Sequence, residues 1–186
     1  MTAGGDDPNQ FVFPAPTDWF HNNAVTYRRS DDTLIVSSRE NFVIGLDYQS
    51  DAIKWILGDE TKHWFEFPSL AQFSLALGSD THPPIGQHGL GITLDNDLLL
   101  MDNGRNSGFQ MPPGVNRDFS IPRKYRLDLS AQTAAELMDY PGTENIYSQF
   151  CGSAYEDAKQ NYLVDYAYIL NSTGGASAEL LGYNGS

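Results

Sequence analysis

Three stretches of this chain repeat one pattern, and this repeat restricts the fold more than any other feature. The stretches are HNNAVTYRRSDDTLIVSSR from His21, HGLGITLDNDLLLMDNG from His88 and CGSAYEDAKQNYLVDYA from Cys151. In each, an apolar strand is followed by an Asp/Asn-rich turn and a more hydrophobic second strand, which predicts a β-hairpin. The second strands recur with a period of about 64 residues. Such a period indicates a repeat architecture.

Each hairpin is followed by two further candidate strands, so that one unit has four. The units also share a Leu-Asp pair, Leu46-Asp47 in the first and Leu127-Asp128 in the second. Four-stranded antiparallel units in series are typical of propeller blades, and long connectors account for the long period. We therefore predict an all-β fold, a β-propeller, of which this chain supplies about three blades.

The predicted boundaries give an N-terminal lead-in over 1–17 and a partial propeller over 18–186. Its units fall at about 18–80, 81–145 and 146–186, the last incomplete. Propeller rings close with about 4 to 8 blades. Three units therefore predict a piece of a larger ring, or closure by a homo-oligomer. The alternative is a small open β-sheet domain whose repeat is coincidental.

Charge and composition narrow the class of partner. The chain has 11 Lys and Arg against 24 Asp and Glu, a formal charge of −13, which disfavours nucleic acid and anionic membrane surfaces. A small molecule or a protein is the expected partner, and a cleft with a few arginines can still bind an anion. The single cysteine, Cys151, excludes an internal disulfide and a multi-thiolate metal site. We expect it to be a small buried residue.

The N-terminal segment and the apolar runs give no sign of export or membrane insertion. The opening MTAGGDDPNQ is polar and acidic, unlike a signal peptide, and no run approaches the roughly 20 apolar residues of a membrane span. From these residues alone we expect neither an export signal nor a membrane partner.

Antiparallel pairing places several polar residues at one end of the units. Those residues are His21, Asn23, Arg39, His88, Asp102 and Asn103. His21 and Asn23 open a first strand and Arg39 ends the second, so they become neighbours. His88 opens the next unit, where Asp102 and Asn103 either brace it or form a turn. The long connector 104–122 at this end is either a lid or a surface excursion.

Five segments together resemble the bacterial aryl sulfotransferase family. They are DWFHNNAV (18–25), IVSSR (35–39), KWILGD (54–59), GQHGLGI (86–92) and LLMDNG (99–104). The resemblance implies a six-bladed parent propeller that transfers a sulfuryl group from a phenolic sulfate ester to a phenol without a nucleotide donor or other cofactor. It also implies a periplasmic or exported protein.

The resemblance assigns a role to four residues. His88 matches the nucleophile that becomes a sulfohistidine, and His21 matches a second histidine that assists proton transfer. Asn23 and Arg39 match residues that hold the sulfuryl oxygens. A further histidine of the family, from an earlier blade, and its N-terminal domain have no counterpart in this sequence, which puts activity of this stretch by itself in doubt.

Two other functions fit the same residues. A noncatalytic propeller would use the polar pocket for recognition alone. A metal-dependent hydrolase would need His21, His88 and a carboxylate such as Asp102 as ligands. The sequence has no compact ligand motif of the HExxH or EF-hand kind, so we expect no metal and rank this function last.

Overall fold

The computed structural model describes residues 20–107, 110–139 and 146–184, and β-strands account for most of its regular structure. The strands are β1 (Asn22–Arg28), β2 (Thr33–Ser38), β3 (Phe42–Asp47), β4 (Ile53–Gly58), β5 (Ala76–Leu77), β6 (His88–Ile92), β7 (Leu98–Asp102), β8 (Ile121–Asp128), β9 (Thr133–Asp139), β10 (Ser153–Ala158), β11 (Asn161–Leu170) and β12 (Ala176–Asn184). The predicted all-β class is confirmed. The lead-in 1–17 lies outside the described residues.

The strands form three separate sheets, none of which closes on itself. Their orders are β1-β2-β3-β4, β5-β9-β8-β7-β6 and β10-β11-β12. Neighbouring strands are antiparallel except β5, which pairs in parallel with β9. The short β5 lies within the predicted unit 18–80 but joins the second sheet. The first strands of the sheets are adjacent, because β6 contacts both β1 and β10.

The three predicted hairpins are present, and each turn contains a residue in the left-handed backbone region. These residues are Asp32 (φ 52°), Asn96 (φ 67°) and Gln160 (φ 64°). Asp and Asn tolerate this conformation better than most residues, which explains the polar turns between apolar strands. Asp47 and Asp128 end β3 and β8, and their carboxylates accept backbone N–H groups of the following turns.

Strand β7 joins the sheets into one core because its two faces contact different neighbours. Leu98 and Leu100 pack in a cluster with Ile35 and Trp55 of the first sheet. Leu99 and Met101 pack instead with residues of the third sheet, including Val164 and Tyr166. Side chains alternate across a strand, so an unbroken apolar run is required where both faces are buried.

Helices are short in the part of the chain that is described. They comprise α1 (Pro68–Ala71) and two 3-10 helices, Arg29–Asp31 and His63–Glu66. None of the described helices is long and apolar enough to cross a membrane.

Gly45 in β3 allows the indole of Trp55 to pack flat against the first sheet. A Cβ added at Gly45 would lie 2.2 Å from Cε2 of Trp55, a ring that is 1% exposed. We expect Gly45→Ala to lower the free energy of unfolding by about 1 to 3 kcal/mol, the usual cost of overpacking a core. Urea denaturation followed by tryptophan fluorescence measures the change.

Gly182→Ala is the matched control for this strand substitution. Gly182 lies in β12, and an added Cβ would meet no heavy atom within 4 Å. Its expected effect is within about 0.5 kcal/mol. Equal effects of the two substitutions would contradict the packing argument.

Candidate functional site

The ends of three strands surround one open pocket between the sheets. Its volume is about 460 Å³, and its lining residues are His21, Arg39, Glu40, His88, Arg105, Asn106, Phe150 and Cys151. The backbone N–H of Arg39 donates to the carbonyl oxygen of His21 over 3.1 Å, and His88 is the first residue of β6. The structure thus brings three of the four residues singled out from the family resemblance to one pocket.

The fourth residue, Asn23, lies beside the pocket rather than in its wall. It occupies a bulge in β1, where the register shifts between Asn22 and Ala24. Its side-chain Nδ2 donates to the carbonyl oxygen of Gln87 over 2.6 Å. Its Oδ1 is buried and has no hydrogen-bond partner among the described residues. Asn23 therefore contacts the backbone of the residue that precedes His88.

The imidazole of His88 is held in one tautomer. Its Nδ1 lies 3.0 Å from the carbonyl oxygen of Gly86 and 2.8 Å from Oδ1 of Asn103. A backbone carbonyl can only accept, so Nδ1 carries the proton. The Asn103 amide donates to the carbonyl oxygens of Ser148 and Cys151, which orients its oxygen toward the imidazole. Nε2 is therefore unprotonated in the neutral ring.

Asp102 and Asn103 contact different neighbours because consecutive residues face opposite sides of a strand. Asn103 follows the face of β7 that packs on the third sheet, and it hydrogen-bonds His88. Asp102 is fully buried on the other side, where it pairs with Arg117 and Arg123, each over 2.5 Å. Of these two residues, Asn103 is therefore the one that contacts His88.

Burial lowers the pKa of His88 below its usual value of 6.5, and the nearby charges of Arg39 and His21 act in the same direction. The hydrogen bonds of Nδ1 raise the pKa but do not offset burial. A histidine with a depressed folded-state pKa is neutral at pH 7. The buried neutral imidazole contributes stability to the folded state above pH 6.5. This contribution is lost as the pH falls through the folded-state pKa of His88.

We expect an NMR titration of the imidazole signals to give His88 a midpoint below 6.5, because the buried ring resists protonation. The variant His88→Gln assigns the signal by its disappearance. A midpoint at or above 6.5 would contradict the proposed influence of burial.

The buried charge of Arg39 is already paired. Its guanidinium forms an ion pair with Glu40, and the two residues are 9% and 3% exposed. The second carboxylate oxygen of Glu40 accepts a hydrogen bond from the hydroxyl of Ser107. An interior guanidinium requires such a partner, so Glu40 holds Arg39 in place.

Sequence reasoning missed five residues of the pocket wall. They are Glu40, Arg105, Asn106, Phe150 and Cys151. Arg105 and Asn106 lie in the long connector whose role the sequence left open. Cys151 precedes the first strand of its unit, as His21 does. This shared position is the sequence signal that could have indicated a place in the pocket wall. The expectation that Cys151 is buried is wrong: the residue is exposed, because it lies outside β10 in the wall of the open pocket.

Metal ligands are not clustered in the described ranges. Within 20–107, 110–139 and 146–184, no group of three or more His, Cys, Asp or Glu side chains could hold a metal ion. Asp102, the carboxylate considered for such a site, pairs with two arginines instead.

Fold and pocket together define an all-β protein in which strand ends bring imidazole and guanidinium groups together at one site. The family model for arylsulfotransferase (ASST) matches residues 4–182, so the chain belongs to the arylsulfotransferase family. The resemblance of the five sequence segments is thereby confirmed.

One curated relative is the arylsulfate sulfotransferase AssT of Escherichia coli O6:H1. It is 29% identical to this chain over 69% of the chain and 24% of the relative. The chain thus spans about a quarter of the length of this relative.

Proposed function

We propose that this chain carries the sulfuryl-transfer site of an aryl sulfotransferase, with His88 as the nucleophile. One observation carries the proposal: the Nδ1 proton of His88 is held by Gly86 and Asn103, which directs the lone pair of the neutral ring to Nε2. The lowered pKa favours that neutral form. A neutral imidazole with a fixed tautomer is prepared for nucleophilic attack.

The proposed reaction has two steps. First, the Nε2 lone pair of His88 bonds to the sulfur of a phenolic sulfate ester while the ester S–O bond breaks, and the departing phenolate takes up a proton. Second, the oxygen of a phenol acceptor attacks the sulfur, the N–S bond breaks, and the phenolic proton is released. His21, which lines the same pocket, is the proposed proton carrier in both steps.

Arg39 and Asn23 support these steps in different ways. Sulfuryl transfer resembles phosphoryl transfer in spreading charge over equatorial oxygens, so fixed positive groups lower the barrier. Arg39 places such a group in the pocket wall. Asn23 contributes through the backbone of Gln87, next to His88, and its buried Oδ1 is the atom available to a ligand or water.

We also propose that the three sheets are successive blades of a propeller, with units at about 18–80, 81–145 and 146–186. The adjacency of β1, β6 and β10 supports this arrangement, because the first strand of each blade lies innermost in a propeller. The pocket then lies at one end of the central channel. The remaining blades would come from the rest of a longer protein or from a second copy.

Phenol-dependent turnover tests the proposed function. The purified chain is incubated with 4-nitrophenyl sulfate, with and without phenol, while nitrophenol release and the intact protein mass are followed. Sulfuryl transfer gives a protein that is heavier by one SO3 group and whose nitrophenol release continues when phenol is added. A noncatalytic binding propeller gives neither signal, and the same assay on a chain extended to the length of the relative decides between the two functions.

A further inference from the structure

A second arginine in the pocket has no carboxylate partner in the described parts of the chain. Arg105 lies in the connector between β7 and β8 and lines the pocket with His88. Its Nη1 donates to Oε1 of Gln149, and its guanidinium carbon lies 4.4 Å from the ring centre of Phe150. Both partners are uncharged. They orient the guanidinium without cancelling its charge.

Arg39 differs from Arg105 because a neighbouring carboxylate balances its charge. The charge of Arg39 is matched by Glu40 before any ligand binds, and both residues are buried. Apart from the two imidazoles, the described residues of the pocket wall carry two positive charges, those of Arg39 and Arg105, and one negative charge, that of Glu40. The remaining positive charge is therefore that of Arg105, and an anion entering the pocket gains most from this group.

Gly86 connects the position of Arg105 to that of the nucleophile. At Gly86 the backbone has φ 61°, and an added Cβ would lie 2.2 Å from the carbonyl oxygen of Arg105. The carbonyl oxygen of Gly86 also accepts the hydrogen bond from His88 Nδ1. One backbone position thus contacts both the connector that carries Arg105 and the ring that would be sulfurylated.

We infer that Arg105 is a second arginine that binds the anionic sulfate oxygens of the substrate, beside Arg39, whose charge Glu40 already balances. This inference rests on the proposed function for the identity of the substrate. A guanidinium has five N–H donors in a planar fork, and Arg105 uses one of them on Gln149. The others suit the oxygens of a sulfate group, to which charge-assisted hydrogen bonds are strong.

Cys151 provides a test that does not depend on turnover. It is the only cysteine of the sequence, it is exposed, and it lines the same pocket. Its alkylation rate is measured with anionic iodoacetate and with neutral iodoacetamide. The ratio of the two rates reports the local charge, because both reagents attack the same thiolate. Protection of Cys151 by inorganic sulfate reports anion binding in the same samples.

Arg105→Gln is expected to lower the iodoacetate-to-iodoacetamide ratio about threefold, because it removes one positive charge from the wall of the pocket that Cys151 lines. It is also expected to remove the protection by sulfate. The double variant Arg39→Gln/Glu40→Gln removes a neutral pair and is expected to leave the ratio unchanged. Glu40→Gln alone frees the charge of Arg39 and is expected to raise the ratio.

Two results would overturn the inference. One is an Arg105→Gln protein that melts like the parent and keeps both the ratio and the protection. The other is a double variant that lowers the ratio as much as Arg105→Gln does, or an unchanged ratio in Glu40→Gln if the double variant does not fold. If the Arg105 effects are found while no variant or parent forms a sulfo-enzyme, the anion site stands and the proposed sulfuryl transfer fails.

Discussion

His88→Ala is expected to abolish the sulfo-enzyme and, with it, phenol-dependent release of nitrophenol. The proposed reaction forms its only covalent bond to the protein at Nε2 of His88. Loss of a nucleophile that acts with its supporting groups typically costs several orders of magnitude in rate. Intact-mass measurement after incubation with 4-nitrophenyl sulfate shows the missing SO3 group directly.

Asn103→Leu separates the role of the nucleophile from that of its support. Leu removes the acceptor of the Nδ1 proton but keeps the imidazole, so the ring loses part of its preference for one tautomer. We expect sulfurylation to be slower by about 10- to 100-fold, the usual effect of losing a supporting hydrogen bond at a histidine ligand, and not abolished. Equal sulfurylation in His88→Ala and the parent would show that another residue is the nucleophile.

Asp102→Ala is expected to cause a large loss of stability. Asp102 is fully buried and pairs with Arg117 and Arg123. It also accepts the backbone N–H of Ile85 over 2.9 Å. Arg123 keeps Glu136 as a partner, so the expected loss is about 3 kcal/mol, the lower end for breaking a buried pair. Urea denaturation gives the value.

Two further variants test this explanation. Asp102→Asn keeps an acceptor for the Ile85 N–H but lacks the charge, so its stability should fall between those of the parent and Asp102→Ala. Asp95→Asn removes one side of an exposed pair with Lys159, which is 3.1 Å long, and should change stability by less than about 1 kcal/mol. A loss in Asp95→Asn as large as that in Asp102→Ala would show that charge number, rather than burial, controls stability.

The hairpins and their turns could be predicted from the sequence because local chemistry determines them. Asp32, Asn96 and Gln160 mark positions where the backbone must enter the left-handed region, and alternating apolar residues flank them. The neighbourhood of His21 and Arg39 followed from antiparallel pairing alone. These features depend on contacts within one hairpin, which the sequence pattern encodes directly.

Features that depend on contacts between sheets could not be predicted in the same way. The short β5 joins the sheet of the next unit, although its two residues carry no strand pattern. The burial that makes the pairing of Arg39 with Glu40 necessary is a tertiary property, which the sequence pattern does not encode. Arg105 comes from a connector, whose path over the pocket depends on contacts such as that with Gly86.

The amide of Asn103 extends the support of His88, the proposed nucleophile, beyond its own sheet. Its two donors are taken by carbonyl oxygens of Ser148 and Cys151, which precede β10. If the third sheet separated from the second, the amide would lose both acceptors and could rotate, so that its oxygen would no longer face Nδ1 of His88. The carbonyl oxygen of Gly86 would then hold the ring proton without the help of Asn103, and the preference for the tautomer with an unprotonated Nε2 would weaken. Assembly of neighbouring units therefore strengthens the placement of this proton.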